Sequence, residues 1–246
     1  MLSSAGAVLR EMGSRTPPGH RTVTSPSPAL RTVRGMTGLP LLATDDVQLR
    51  WARPEVLDSS RHRMLRLLTL AERLRYEATG RREARDSFLL GRVLVRELAA
   101  ETLGIDPLEV SVDARCDLCG GPHGRPVLGG DHPALERLRV SIAHCDGAVV
   151  AALATGRDVG IDAARTRVVR DRVTTGEASA EQILTELRAQ AVAKADGRGP
   201  AAEAPVLFRT REGATEAWIE GSERYFAVSE PAVHSALVVT VALAQD

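Results

Sequence analysis

No run of apolar residues in this 246-residue chain approaches the roughly 18 needed to span a bilayer, so a soluble protein is expected. Net charge is also missing. The 32 Lys and Arg balance the 32 Asp and Glu, which removes any whole-molecule field toward nucleic acid or a membrane surface. Lysine is nearly absent: 31 of the 32 cationic residues are Arg, and Lys194 is the single Lys. Arg cannot replace a compact ammonium everywhere, which marks Lys194 as a position to watch. Cysteine is scarce and odd in number, at Cys116, Cys119 and Cys145. That excludes a disulfide-stapled scaffold and points to a reduced, cytoplasmic setting.

What is present is unevenly placed. Residues 61–96 hold ten Arg against Glu72, Glu77, Glu83 and Asp86, a local cationic region that suits phosphates or forms a solvated helix face. "CDLCGGPHGRP" sets Cys116 and Cys119 two residues apart, with His123 just after. A zinc site there needs a fourth ligand, for which His132 and Cys145 are the candidates; without a second CxxC, a turn with ordinary thiols is the expectation. Residues 1–35 are rich in Ser, Pro, Arg and Gly, with Glu11 as the one acid, and lack the apolar core of a secretion signal. They are expected to be a disordered tail, with a transit peptide as the alternative. Met36 opens the expected folded part.

Periodicity divides the rest. "LTLAERLRYEATG" (68–80) reads as a short helix, and "EARDSFLLGRVLVRELAAETLG" as a long one that stops at Gly104. "LEVSVD", "LRVSIAH", "GAVVAALAT" and "DVGIDA" read as strands. "SAEQILTELRAQAVAKADGRGP" reads as a helix ended by Gly197 and Pro200, followed by strands at "VLFRTR", "EAWIEG", "YFAVSE" and "ALVVTVALA". Helix then strands, twice, predicts an α+β protein: an N-terminal unit at 36–167 and a shorter C-terminal unit at 168–246.

Several motifs, in order, resemble those of the larger, two-lobed 4′-phosphopantetheinyl transferases. "FLLGRVLVRELA" is similar to that family's Gly-Arg helix, and "CGGPHGRPVL" to its coenzyme-A-contacting turn. "VSIAHCDGAVVAALA" resembles its Ser-x-Ser-His segment, "VGIDAARTR" its Gly-x-Asp-x-Glu metal segment, and "AQAVAKADGRGP" the end of its Lys-Glu helix. The resemblance implies two similar lobes, each a helix with a small antiparallel sheet, related by a pseudo-two-fold with a cleft between them. It also implies a monomer that moves phosphopantetheine from coenzyme A to the serine of an acyl or peptidyl carrier protein, with magnesium at the pyrophosphate.

Carried over by position, Arg92, Arg125, His144 and Lys194 stand where coenzyme A is contacted, with Arg73 as a fifth. Asp162 matches the first metal carboxylate. The second falls on Ala164, which has no ligating atom. The helix Lys-Glu pair falls on Ala189 and Gln190, and Gln cannot act as a base. Glu186 lies one helical turn before Gln190 and is the nearest substitute. The stretch from Asp162 to Lys194 is also shorter than the resemblance implies, at the place where carrier proteins dock. Phosphoryl transfer relies on positioning and electrostatics, so a lost metal ligand removes a main catalytic contribution.

Three functions follow as expectations. The first is a repurposed protein of secondary metabolism that acts on a small molecule or carrier-linked intermediate, with magnesium-dependent transfer lost. There Asp162, His144, Cys145 and Glu186 would converge as acid–base groups for a cyclisation, dehydration or isomerisation. The second is a working transferase that keeps magnesium on Asp162, water and substrate oxygens. The third is a non-catalytic module that binds coenzyme A or a carrier protein. Asp162 is expected at a strand end, with His144 nearby.

Overall fold

A computed structural model describes residues 31–34, 40–43, 46–116, 119–198 and 204–245. It is α+β, with antiparallel sheets and five α-helices among the described residues. Strands β1 (Arg31–Arg34), β2 (Pro40–Ala43) and β3 (Val47–Ala52) come first. Helices α1 (Leu57–Arg66), α2 (Leu70–Ala78) and α3 (Arg82–Leu103) follow. Next are β4 (Ser111–Asp113), β5 (Val127–Gly129), β6 (Leu138–Cys145), β7 (Ala148–Thr155) and β8 (Val159–Arg165). Helices α4 (Thr166–Thr174) and α5 (Ala180–Asp196) precede β9 (Val206–Arg211), β10 (Ala214–Ile219), β11 (Tyr225–Ser229) and β12 (Leu237–Ala244).

The strands form two five-stranded sheets, ordered β1-β2-β3-β7-β6 and β8-β12-β11-β10-β9, and a small β4-β5 pair. Every pairing is antiparallel. Two sequence expectations change here. Arg31–Arg34, inside the expected tail, is a strand paired with β2; residues 1–30 lie outside the described part. The boundary after Arg167 cuts the second sheet, because β8 pairs with β12 and not with the first sheet. By sheet membership the division falls at the β7–β8 turn.

Alternation along the strands sets the layers. In β7, Val149, Ala151 and Leu153 face α3, while Ala148, Val150, Ala152 and Ala154 face the second sheet. Burial on both sides explains why this strand reads as an unbroken apolar run. In β12, Leu237, Val239, Val241 and Leu243 pack against the first sheet, and Ala242 turns toward α5. The sheets thus pack face to face, with α3 on the outer face of the first and α5 on the outer face of the second.

The two long helices are fixed by different chemistry. Arg50 of β3 is fully buried and bonds Glu97 at 2.8 Å and Glu101 at 2.5 Å, both on α3. Arg61 of α1 makes a two-pronged contact with Asp86 of α3. That contact holds the Asp86 carboxyl below its usual range and raises the Arg61 guanidinium. Glu72 caps α2 through Thr69 and also accepts from Arg96 of α3 at 2.6 Å. The α5 helix instead lies directly on β8. A Cβ at Gly160 would meet the Ala191 carbonyl oxygen at 1.9 Å, so only glycine permits that approach.

Candidate functional site

Strands β6 and β8 lie side by side, and the predicted site residues gather at this seam. Ser141 Oγ of β6 accepts from the Ile161 amide of β8 at 3.1 Å. Lys194 of α5 reaches over the seam, and its Nζ contacts Asp162 Oδ1 at 2.7 Å, Ile161 O at 2.9 Å and Ile142 O at 3.5 Å. An ammonium has three donors, and three acceptors meet it here. Lys194 therefore staples α5, β8 and β6 together. These contacts give it a structural role, and its charge also reaches the coenzyme-A position expected of it.

Asp162 lies in the middle of β8, opposite Thr240 of β12, and not at a strand end. It faces α5, with one oxygen held by Lys194. Ala164, the next residue on the same face, offers no ligand. Glu186 does not join Asp162. Both of its oxygens point to Arg172 of α4, at 2.9 and 3.5 Å, on the exposed side of α5. Lys194 is two further turns along that helix, about 12 Å away at 1.5 Å per residue. Cys145 also stays outside: it packs in the layer between the sheets and donates to Ala148 O at 3.6 Å. Burial pushes its thiol pKa up. Two of the four acid–base groups expected to converge are thus placed elsewhere.

His144, near the end of β6, faces α3. A Cβ at Gly91 would come within 3.3 Å of His144 Nε2 and 3.2 Å of Ile142 Cγ2. Glycine in "LLGRV" therefore lets the helix lie against the histidine. The ring keeps solvent access, but neighbouring groups strip much of its hydration, and this holds its pKa below the usual value. The cations Lys194, Arg92 and Arg75 push the same way, against a backbone hydrogen bond with Ser87. Its partner is Ser87, while Asp162 serves Lys194, so the expected His–carboxylate pair is not formed.

Arg92 projects from α3 into the same place and is 6 % exposed. This overturns the solvated-face reading for Arg92, and for Arg96, which is fully buried. Desolvation lowers the Arg92 pKa to about 10, with Glu72 opposing and Arg75 and Arg96 adding to the effect. Glu72 Oε1 stands 3.5 Å from its Nε without a hydrogen bond, and that Nε has no hydrogen-bond partner. A buried guanidinium with an unused donor is costly unless something meets it.

The fifth expected residue is corrected. Arg73 bends back onto Leu68 O and Arg66 O at the α1–α2 turn and takes no part. Arg75, two residues on, points the other way. Its guanidinium lies 4.8 Å from the Phe88 ring centroid, and that of Arg92 lies 5.2 Å from it. Residues two apart on a helix face different sides, and nothing local marks which side meets α3. Phe88 was the available signal, because an aromatic one turn before Arg92 offers a face to both guanidiniums.

Arg125 belongs to a second cationic cluster at the C-terminal end of α5. It bonds Asp158 at 2.5 Å, and Arg139 and Arg224 share the same carboxylate at 3.4 and 2.6 Å. Burial would raise the Asp158 pKa, but Arg125 and Arg224 outweigh it and lower the value. Arg224 and Arg198 also reach Asp196. Four guanidiniums thus meet two carboxylates.

A cavity of about 300 Å³ beside α1 is lined by Pro54, Glu55, Asp58, Arg82, Glu83 and Asp86 and contains none of the predicted site residues. No helix among the described residues is long and apolar enough to cross a membrane. No protein-family model and no curated protein matches the chain.

Proposed function

We propose that this chain is a phosphopantetheinyl-transferase-like protein that keeps a coenzyme-A-type phosphate site and has been repurposed, with magnesium-dependent transfer lost. The carrying observation is the contrast between Arg92 and Asp162. Arg92 is buried with a donor unused beside Arg75 and His144, whereas Asp162 is already paired with Lys194. Glu72 serves Arg96 and Arg92 together, so the three arginines there are under-compensated. Coenzyme A carries a pyrophosphate and a separate 3′-phosphate. Two cationic clusters, at Arg75 and Arg92 with His144 and at Arg125 with Arg139 and Arg224, suit such a ligand.

The residues fit magnesium poorly. A hard cation wants several oxygen ligands, and the seam offers one carboxylate already neutralised by an ammonium. His144, whose pKa is lowered by burial and neighbouring cations, is suited to accept a proton from a small-molecule or carrier-linked substrate. The implied two-lobed, pseudo-two-fold arrangement with a substrate cleft along the seam belongs to the same proposal. So do a monomeric state and a place in natural-product biosynthesis in the cytoplasm.

The test is incubation with coenzyme A, magnesium and several apo carrier proteins, read by intact mass. The expected result is unchanged carrier. A gain of one phosphopantetheine group would instead establish a working transferase.

A further inference from the structure

We propose that Cys116, Cys119 and His123 form a three-ligand site for a divalent transition metal, zinc foremost, with the fourth position open to water. Their ligand atoms all lie within 4.8 Å of one another, the only such His/Cys/Asp/Glu group among the described residues. Cys119 Sγ and His123 Nε2 are 2.9 Å apart. Tetrahedral zinc, with Zn–S about 2.3 Å and Zn–N about 2.0 Å, sets sulfur and nitrogen roughly 3.5 Å apart, so a small opening of the pair admits the ion.

The loop is built to hold the set. The Cys116 amide donates to Gly121 O at 2.7 Å, and the Gly120 amide donates to Cys116 O at 2.8 Å. Gly120 takes the left-handed turn this requires, at φ 68°. The Gly121 amide donates to Cys119 Sγ at 3.3 Å, which fixes the direction of that side chain. The two residues that sequence alone offered as a fourth ligand are engaged elsewhere. His132 Nδ1 accepts from the Ala134 amide, and Cys145 is packed between the sheets. Among the described residues, three protein ligands and one open position therefore make up the site.

Binding is balanced by loss of both thiol protons to solvent. Two thiolates and a neutral imidazole then face the dication, and water completes the shell. The chemistry is soft sulfur with imidazole, which selects zinc over magnesium or calcium. The consequence reaches the seam, because Arg75 donates to Pro122 O inside this loop and Arg125 follows two residues after His123. A metal here would fix the loop that holds one candidate phosphate ligand and carries the other.

The test uses the full chain, reduced and stripped of metal with a chelator, then titrated with cobalt(II) and zinc(II). The expected result is one cobalt per chain with thiolate-to-cobalt charge-transfer absorption, displaced by one equivalent of zinc. Cys119→Ser and His123→Ala should each weaken zinc binding by about 100-fold, with unchanged circular dichroism because both side chains are exposed. Absence of the charge-transfer band, substoichiometric binding, or a Cys116–Cys119 disulfide that persists under mild reduction would each overturn the proposal. So would undiminished affinity in both variants. Metal binding is read directly, so the outcome is independent of whether coenzyme A binds.

Discussion

The α3 side and the α5 side of the molecule carry similar ionic groups put to opposite use. On α5, Lys194 meets Asp162 and two carbonyls, so its three donors are all used. On α3, Arg92 is buried beside Glu72 with its Nε unbonded, and Arg75 stacks on Phe88 with no carboxylate partner among the described residues. A residue type at a motif position therefore does not establish availability for a ligand. Counting donors against acceptors does, and it points to the α3 side.

The largest effect should come from the α3 anchor. Arg50→Ala leaves Glu97 buried without its guanidinium partner and should cost about 3–5 kcal/mol in denaturant unfolding. The α5 counterpart is Gly160→Ala, which forces the helix off β8 and should cost about 2–3 kcal/mol. If Gly160→Ala were neutral, the close approach would not be what holds α5.

Next are the ligand contacts. Arg92→Ala and Arg125→Ala should each weaken coenzyme-A affinity by about 1.5–3 kcal/mol, roughly 10- to 150-fold, in calorimetry. Lys194→Ala should lower stability more than it lowers affinity, because its three contacts are internal. The double change Ala164→Glu with Gln190→Glu should not create transfer to apo carriers. The new acid on β8 arrives beside a carboxylate already paired with Lys194, and α4 occupies the shortened connection. Robust phosphopantetheinylation by that variant would leave simple decay of the metal site as the better account.

A smaller effect concerns pH. The His144 pKa lies below its unfolded value, so the unfolded chain binds more protons near pH 6. The histidine's contribution to stability should be complete above about pH 6.5 and fall as pH drops toward the folded pKa. A bound phosphate reverses the field at the ring. Coenzyme A should therefore raise the His144 pKa in an NMR titration and bind more tightly at pH 6 than at pH 8. The smallest effect belongs to Glu186→Ala, which breaks an exposed pair with Arg172 and should cost under about 1 kcal/mol.

Much of the fold was legible because it rests on local periodicity. Helix α3 ends at Leu103 with Gly104 left-handed beyond it, and β9 spans "VLFRTR" as expected. Strand β3 was hidden because Arg50 occupies an inward position. Glu97 and Glu101, some fifty residues on, make that burial tolerable. Helix α4 buries no side chain, so no apolar stripe announces it. The site was legible as a set of residue types but not as a geometry. Arg92 and Arg75 both act electrostatically on His144, while Arg73 turns back onto the Leu68 carbonyl. Glu186 is drawn away by Arg172, an ion pair between helices that no spacing rule predicts.

The most direct measurement is calorimetric titration of coenzyme A into the full chain, once with magnesium and once in magnesium-free buffer, with zinc supplied in both. The account predicts the same affinity in both, lost together in Arg92→Ala. No binding in either condition, or binding that appears only with magnesium, would contradict it.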